Sequence, residues 1–135
     1  MEEKKDLESG FRILNILLLE SSFNRVQNVE FNNPEIKQEV NVDVNVSVNG
    51  NTVGVAEQVN YKQIFNDVDQ VTASIKMAGV FEKTGDSPLD LEQFGQVNGA
   101  AIIYPYIREH LSSLSAKAGL GLIFLPPVNL TKKNN

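Results

Sequence analysis

"EVNVDVNVSV" occupies residues 39–48, and its unbroken alternation decides the fold. Val40, Val42, Val44, Val46 and Val48 fall on one side of an extended chain, and Glu39, Asn41, Asp43, Asn45 and Ser47 fall on the other. A helix would scatter these valines around its circumference. The segment is therefore a strand with one face on a core and one in water. Asn49-Gly50-Asn51 follows it with residues that accept positive φ, the chemistry of a tight hairpin.

Working outward, a further strand spans 52–65 with Val53, Val55, Val59 and Tyr61, and "NDVD" (66–69) marks the next turn. Another strand covers about 70–82, with Val71, Ala73, Ile75, Met77 and Phe81 on one face. Upstream, "FRILNILLLE" (11–20) reads as a strand with Phe11, Ile13, Leu17 and Leu19 on one face and Leu14, Ile16 and Leu18 on the other. Both of its faces are apolar, so both are expected to be covered. The short connections between 39 and 82 require antiparallel neighbours.

The cover for this sheet is "GAAIIYPYIREHLSSL" (99–114) and its continuation. Ala100, Tyr104, Ile107, Leu111, Leu114 and Ala118 recur at helical spacing and form an apolar stripe, widened by Ile102, Ile103 and Tyr106. Pro105 falls on the polar back with Glu109, Ser112 and Ala116, and the stripe continues across it, which predicts a helix that runs through the proline. Gly119 is a C-terminal stop, with Lys117 in the last turn. The fold class is α+β: a four-stranded antiparallel sheet covered by one long helix. One sheet face does not cover the full apolar width of that helix. A second subunit would, and Ile103, Tyr106 and Ile107 are the expected oligomer interface.

Composition narrows the function. The chain has 135 residues, a formal charge of −5 and no cysteine. The acidic balance excludes a nucleic-acid partner, which needs a basic stripe, and the lack of cysteine excludes disulfides and thiolate chemistry. The charged start, "MEEKKDLESG", holds no signal core, and no run approaches the ~20 apolar residues that span a bilayer. A cytoplasmic protein with no membrane insertion is expected. Residues 1–10 and 131–135 read as flexible tails around a single domain at 11–130.

No residue pattern supports catalysis. His110 is the single histidine, without partners for a metal site. The aspartates at 67, 69, 86 and 90 sit in turn contexts, and Ser112, Ser113 and Ser115 have no base partner. We expect neither an enzyme nor a cofactor. What stands out is apolar material in loops: Val26, Val29, Phe31, Pro34 and Ile36 in one connection, and "LIFLPPVNL" (122–130) after the helix. Such segments either wrap the core or border a groove for extended polypeptide, with Phe31, Ile36, Ile123, Phe124 and Leu125 as its lining.

The stretch 97–130 resembles the SecB-type export chaperones. The resemblance rests on Ile102-Ile103-Tyr104-Pro105-Tyr106-Ile107-Arg108-Glu109 and on Pro127-Val128-Asn129-Leu130. "SSFNR" (21–25) is similar to the end of the family's first strand, and "MAGVF" (77–81) to its fourth. The resemblance implies a homotetramer, a dimer of dimers with helices at the interface. It also implies an ATP-independent holdase that binds unfolded preproteins along an apolar groove. Of the family's acidic docking patch for the translocase motor, Glu20 matches. Asn24 stands in place of a second acid, and Ser74 and Thr72 replace the acidic and leucine positions of the fourth strand. Against the family, a shortened C-terminus ending soon after Leu130 is expected. Relatives that guard an antitoxin offer an alternative client, and a non-catalytic adaptor for one folded partner is the alternative from another class.

Overall fold

The valine strand lies at one edge of an antiparallel sheet in the computed structural model, which describes residues 5–6, 10–85, 90–123 and 125. The strands are β1 (Lys5–Asp6), β2 (Phe11–Arg25), β3 (Lys37–Asn49), β4 (Thr52–Phe65) and β5 (Val68–Lys83), in the order β1-β2-β5-β4-β3. The expected four long strands are all present. The two residues of β1 add a short pairing to the start of β2, opposite Arg12 and Ile13. Apart from these and Gly10, both predicted tails lie outside the described residues.

Turn chemistry sets the register. Asn49 faces Thr52, so Gly50 and Asn51 form the β3–β4 turn, with Gly50 at φ 60°. Phe65 faces Val68, and Asn66 and Asp67 both adopt positive φ, 51° and 59°. That pairing of left-handed residues matches the right-handed twist of the strands it joins.

The buried face of the sheet carries Val42 of β3, Val53, Val55, Val59 and Tyr61 of β4, and Val71, Ala73, Ile75, Met77 and Phe81 of β5. β2 departs from its sequence reading. Register shifts between Ile13 and Asn15 and between Leu18 and Glu20 each insert a residue. A bulge reverses the alternation beyond it. Phe11, Ile13, Ile16 and Leu18 consequently pair with residues of β5 that share the core side or its continuation, whereas Leu17 turns to the outer face opposite Ala78. Nor are both faces of β2 covered, because Leu17, Leu18 and Leu19 are about half exposed.

The helical cover begins earlier than the apolar stripe suggests. Asp90 caps α1 (Leu91–Phe94), its carboxylate accepting the Gln93 N–H at 2.6 Å. A π-helical turn, Gly95–Gly99, then leads into α2 (Ala100–Lys117). A Cβ on Gly95 would lie 2.9 Å from the side chains of both Val46 and Val53, so only glycine lets this turn rest on the sheet. Phe94 stacks on Phe11 with ring centroids 3.7 Å apart and meets Phe81 edge-on at 5.4 Å. Ala100, Ile103, Tyr104, Ile107, Leu111 and Ser115 form the buried face of α2.

Pro105 is inside α2 and exposed, as is Ala101, whose carbonyl it leaves without the usual donor. Burial of Ile103, Ile107 and Leu111, at about 1.5–3 kcal/mol each, outweighs that loss. The helix ends as expected: Gly119 adopts φ 75°, its N–H meets the Ala116 carbonyl at 3.1 Å, and the Leu120 N–H meets Ser115 at 3.0 Å.

Candidate functional site

The connection from β2 to β3 must cross the ends of β5 and β4, since β2 and β3 flank the pair on opposite sides. Residues 26–36 make this crossing, and polar side chains pin it at two places. Arg25 donates from Nε to the Val26 carbonyl at 2.9 Å and from one terminal nitrogen to Gln27 at 2.6 Å. Its other terminal nitrogen donates to the carbonyl of Ala118 at 2.5 Å. One guanidinium thus ties the start of the crossing loop to the end of α2, 93 positions away in sequence. Farther along, the buried amide of Gln70 holds both backbone groups of Glu30, accepting its N–H at 3.0 Å and donating to its carbonyl at 3.1 Å.

Beyond the second pin the loop turns outward. Phe31 is 52% exposed, Asn32 adopts φ 55°, and Asn33 accepts the Glu35 N–H on its side chain at 2.9 Å. Ile36 is half-buried. Pro34, Glu35 and Lys37 border a depression of about 380 Å³ closed by Ile64, Asn66 and Asp67 of the β4–β5 hairpin. Val29 anchors the loop from below by packing against the core.

The segment after α2 is held to the helix and to the core. Ser115 donates to the Gly121 carbonyl at 2.6 Å, and Ile123 and Leu125 are buried in the same apolar cluster as Val29. Of the five residues read from sequence as groove lining, Phe31 is exposed, Ile36 is half-buried, and Ile123 and Leu125 are in the core. Phe124 lies outside the described residues. Of the residues described, Phe31 is thus the one large side chain of this set left mostly in solvent.

The expected oligomer face divides similarly. Ile103 and Ile107 are fully buried against the chain's own sheet, while Tyr106 is 48% exposed. His110, one turn on from Tyr106, reaches β2 and bonds Ser21 through Nε2 at 2.8 Å. This bond ties α2 to β2 at His110. Glu20 is exposed on the outer sheet face directly opposite Lys76. Other outer-face charges are also matched: Arg12 pairs with Glu82 at 3.6 Å, Lys62 with Asp69 at 3.5 Å, and Glu39 lies opposite Lys62.

Glu57 is the one acid on the buried face of β4, between Val55 and Val59 and opposite Val44 and Met77. Its side chain is fully buried with both oxygens lacking hydrogen-bond partners, and desolvation pushes its pKa up to about 8. The nearby Tyr104 phenol is also raised, chiefly by burial, with Arg108 opposing that shift and Glu57 adding to it. Among the described residues, no cluster of acids and histidine is placed to hold a metal ion, and no helix is long and apolar enough to cross a membrane.

Comparison with known proteins agrees with this architecture. An uncharacterized protein of Methanocaldococcus jannaschii is 26% identical over 71% of this chain, which spans 64% of that protein's length. The protein-export protein SecB of Hahella chejuensis is 30% identical over 88% of this chain and 77% of its own. Among solved structures, the SecB-like chaperone Rv1957 of Mycobacterium tuberculosis, in complex with a ChAD peptide from the HigA1 antitoxin, superposes with a TM-score of 0.73. That match is 19% identical and covers 87% of this chain and 90% of the other, a likeness of fold. The family model for the preprotein translocase subunit SecB matches residues 4–132, nearly the whole sequence, and the chain belongs to the SecB family.

Proposed function

We propose that this protein is an ATP-independent holdase chaperone of the cytoplasm that binds non-native polypeptides, unfolded preproteins first among them. The observation that carries the reading is Phe31: a large aromatic, 52% exposed, on a loop tied by Arg25 and Gln70 to the sheet and the helix end. An apolar ring held out of the core offers a non-native chain a place to bury its own apolar side chains with little sequence preference. Membership in the SecB family supports the chaperone role. Assembly as a homotetramer belongs to the same reading, supported by the half-exposed Leu17, Leu18 and Leu19 on an open strand edge and by the half-exposed Tyr106 on α2. Such edges are ready templates for a further strand.

A second reading is a chaperone dedicated to an antitoxin. It is favoured by the fold match to the Mycobacterium tuberculosis protein solved with an antitoxin peptide. An adaptor for one folded partner is the third. These separate in an aggregation-suppression assay with several unrelated unfolded proteins, without nucleotide and at near-stoichiometric ratios. The holdase reading expects suppression of most of them. Suppression of none would overturn it, and protection of a single dedicated client would favour the antitoxin reading.

A further inference from the structure

Gln70 is 3% exposed, and its side-chain amide is fully engaged. Oε1 accepts the Glu30 N–H at 3.0 Å, and Nε2 donates to the Glu30 carbonyl at 3.1 Å and to Gln63 Oε1 at 3.3 Å. Gln63 in turn donates to the Tyr61 hydroxyl at 2.7 Å, which donates to Gln38 Oε1 at 3.2 Å. The backbone carbonyl of Gln70 takes the Val26 N–H at 3.0 Å. A single residue of β5 thus fixes the crossing loop at Val26 and at Glu30, and the pair of bonds to Glu30 imitates one rung of a β-ladder using a side chain. The next residue in the chain is Phe31.

We propose that Gln70 is the positioning residue of the client surface, holding Phe31 in a pre-formed, outward-facing conformation for capture of apolar segments. The proposal rests on the holdase reading of the loop. Its physical basis is the alternative open to a free loop: an unpinned Phe31 would sample many positions, including collapse onto the chain's own apolar residues. Every such state subtracts from the binding-competent population. The left-handed Asn32 and the Asn33 turn complete a rigid tip beyond the pin. Ordering is then done before the client arrives, which leaves more of the contact energy for binding.

The test uses the full-length chain and reduced, carboxymethylated lactalbumin as a permanently unfolded client, with wild type, Gln70→Met and Phe31→Ser. Methionine keeps the length and burial of Gln70 but makes neither bond to Glu30 nor the one to Gln63. The expected result is a melting temperature close to wild type, faster hydrogen exchange at the Glu30 amide, and roughly fivefold weaker client binding, the scale of one net hydrogen bond. Phe31→Ser reports on the underlying reading. If it binds as wild type, the loop is not the client surface and the proposal falls with that reading. If it weakens binding while folded Gln70→Met does not, the loop reading stands and the role of Gln70 is overturned. Should Gln70→Met not fold, exchange in the wild type decides: the Glu30 amide should be slower than those of Phe31 and Asn32, and equal rates would contradict the pin.

Discussion

Glu57 occupies a position that the alternation of β4 reserves for an apolar side chain, flanked by Val55 and Val59 with Met77 opposite. Burial without a donor favours the neutral acid, so its pKa lies near 8 in the fold against an ordinary value of 4.5. The folded state then holds a proton that the unfolded state releases. Stability from this group is full below pH 4.5 and is lost as pH rises through about 8. At about 1.4 kcal/mol per pH unit, the whole interval corresponds to roughly 5 kcal/mol. Urea denaturation across this range should show wild type losing several kcal/mol more than Glu57→Gln, and parallel pH profiles would contradict the assignment. The sequence made the face legible but not the acid's state, because alternation reports the direction of a side chain and not its partners. Arg25 and Gln70 were equally silent: their partners lie 93 and 40 positions away.

At the level of elements, the regular strands and the stripe of α2 were readable because their periodicity is local. β3, β4 and β5 stand where alternation put them, and the helix crosses Pro105 with its stripe intact. The alternation of β2 is misread because six branched apolar residues between 13 and 19 conceal two bulges, and a run apolar on both sides carries no alternation to reveal a slip. The same blindness hides α1 and the π-turn, whose Gly95 reports close packing only once Val46 and Val53 are beneath it. In the proposed reading, these observations move the assembly surface to β2. Ile107→Glu should unfold the subunit, since the side chain is fully buried and a charge there has no partner. Leu18→Glu, at a residue 47% exposed, should leave the subunit folded and shift sedimentation toward smaller species. A Leu18→Glu variant that sediments as wild type would remove the β2 edge from the interface.

For the whole molecule, the two sheet faces divide the work. One is buried under the helix, and the other carries charges set opposite one another, Glu20 against Lys76 and Arg12 against Glu82. A face so balanced lacks the single-sign field that steers a charged partner. Any docking to the translocase motor should therefore be weak and only mildly salt-dependent, whereas tight, salt-sensitive binding abolished by Glu20→Ala would contradict this. In the proposed reading, client holding centres not on that face but on Phe31, which is legible in the sequence because an aromatic stands out in a polar loop. By contrast, Ile123 and Leu125, equally apolar, are taken up by the core. The most direct test pairs thermal unfolding with aggregation suppression on one Phe31→Ser variant. The account predicts an unchanged melting temperature, because the ring is half in solvent, and suppression weakened by about tenfold, the scale of losing one well-buried apolar contact. Wild-type suppression by a normally folded Phe31→Ser protein would contradict it.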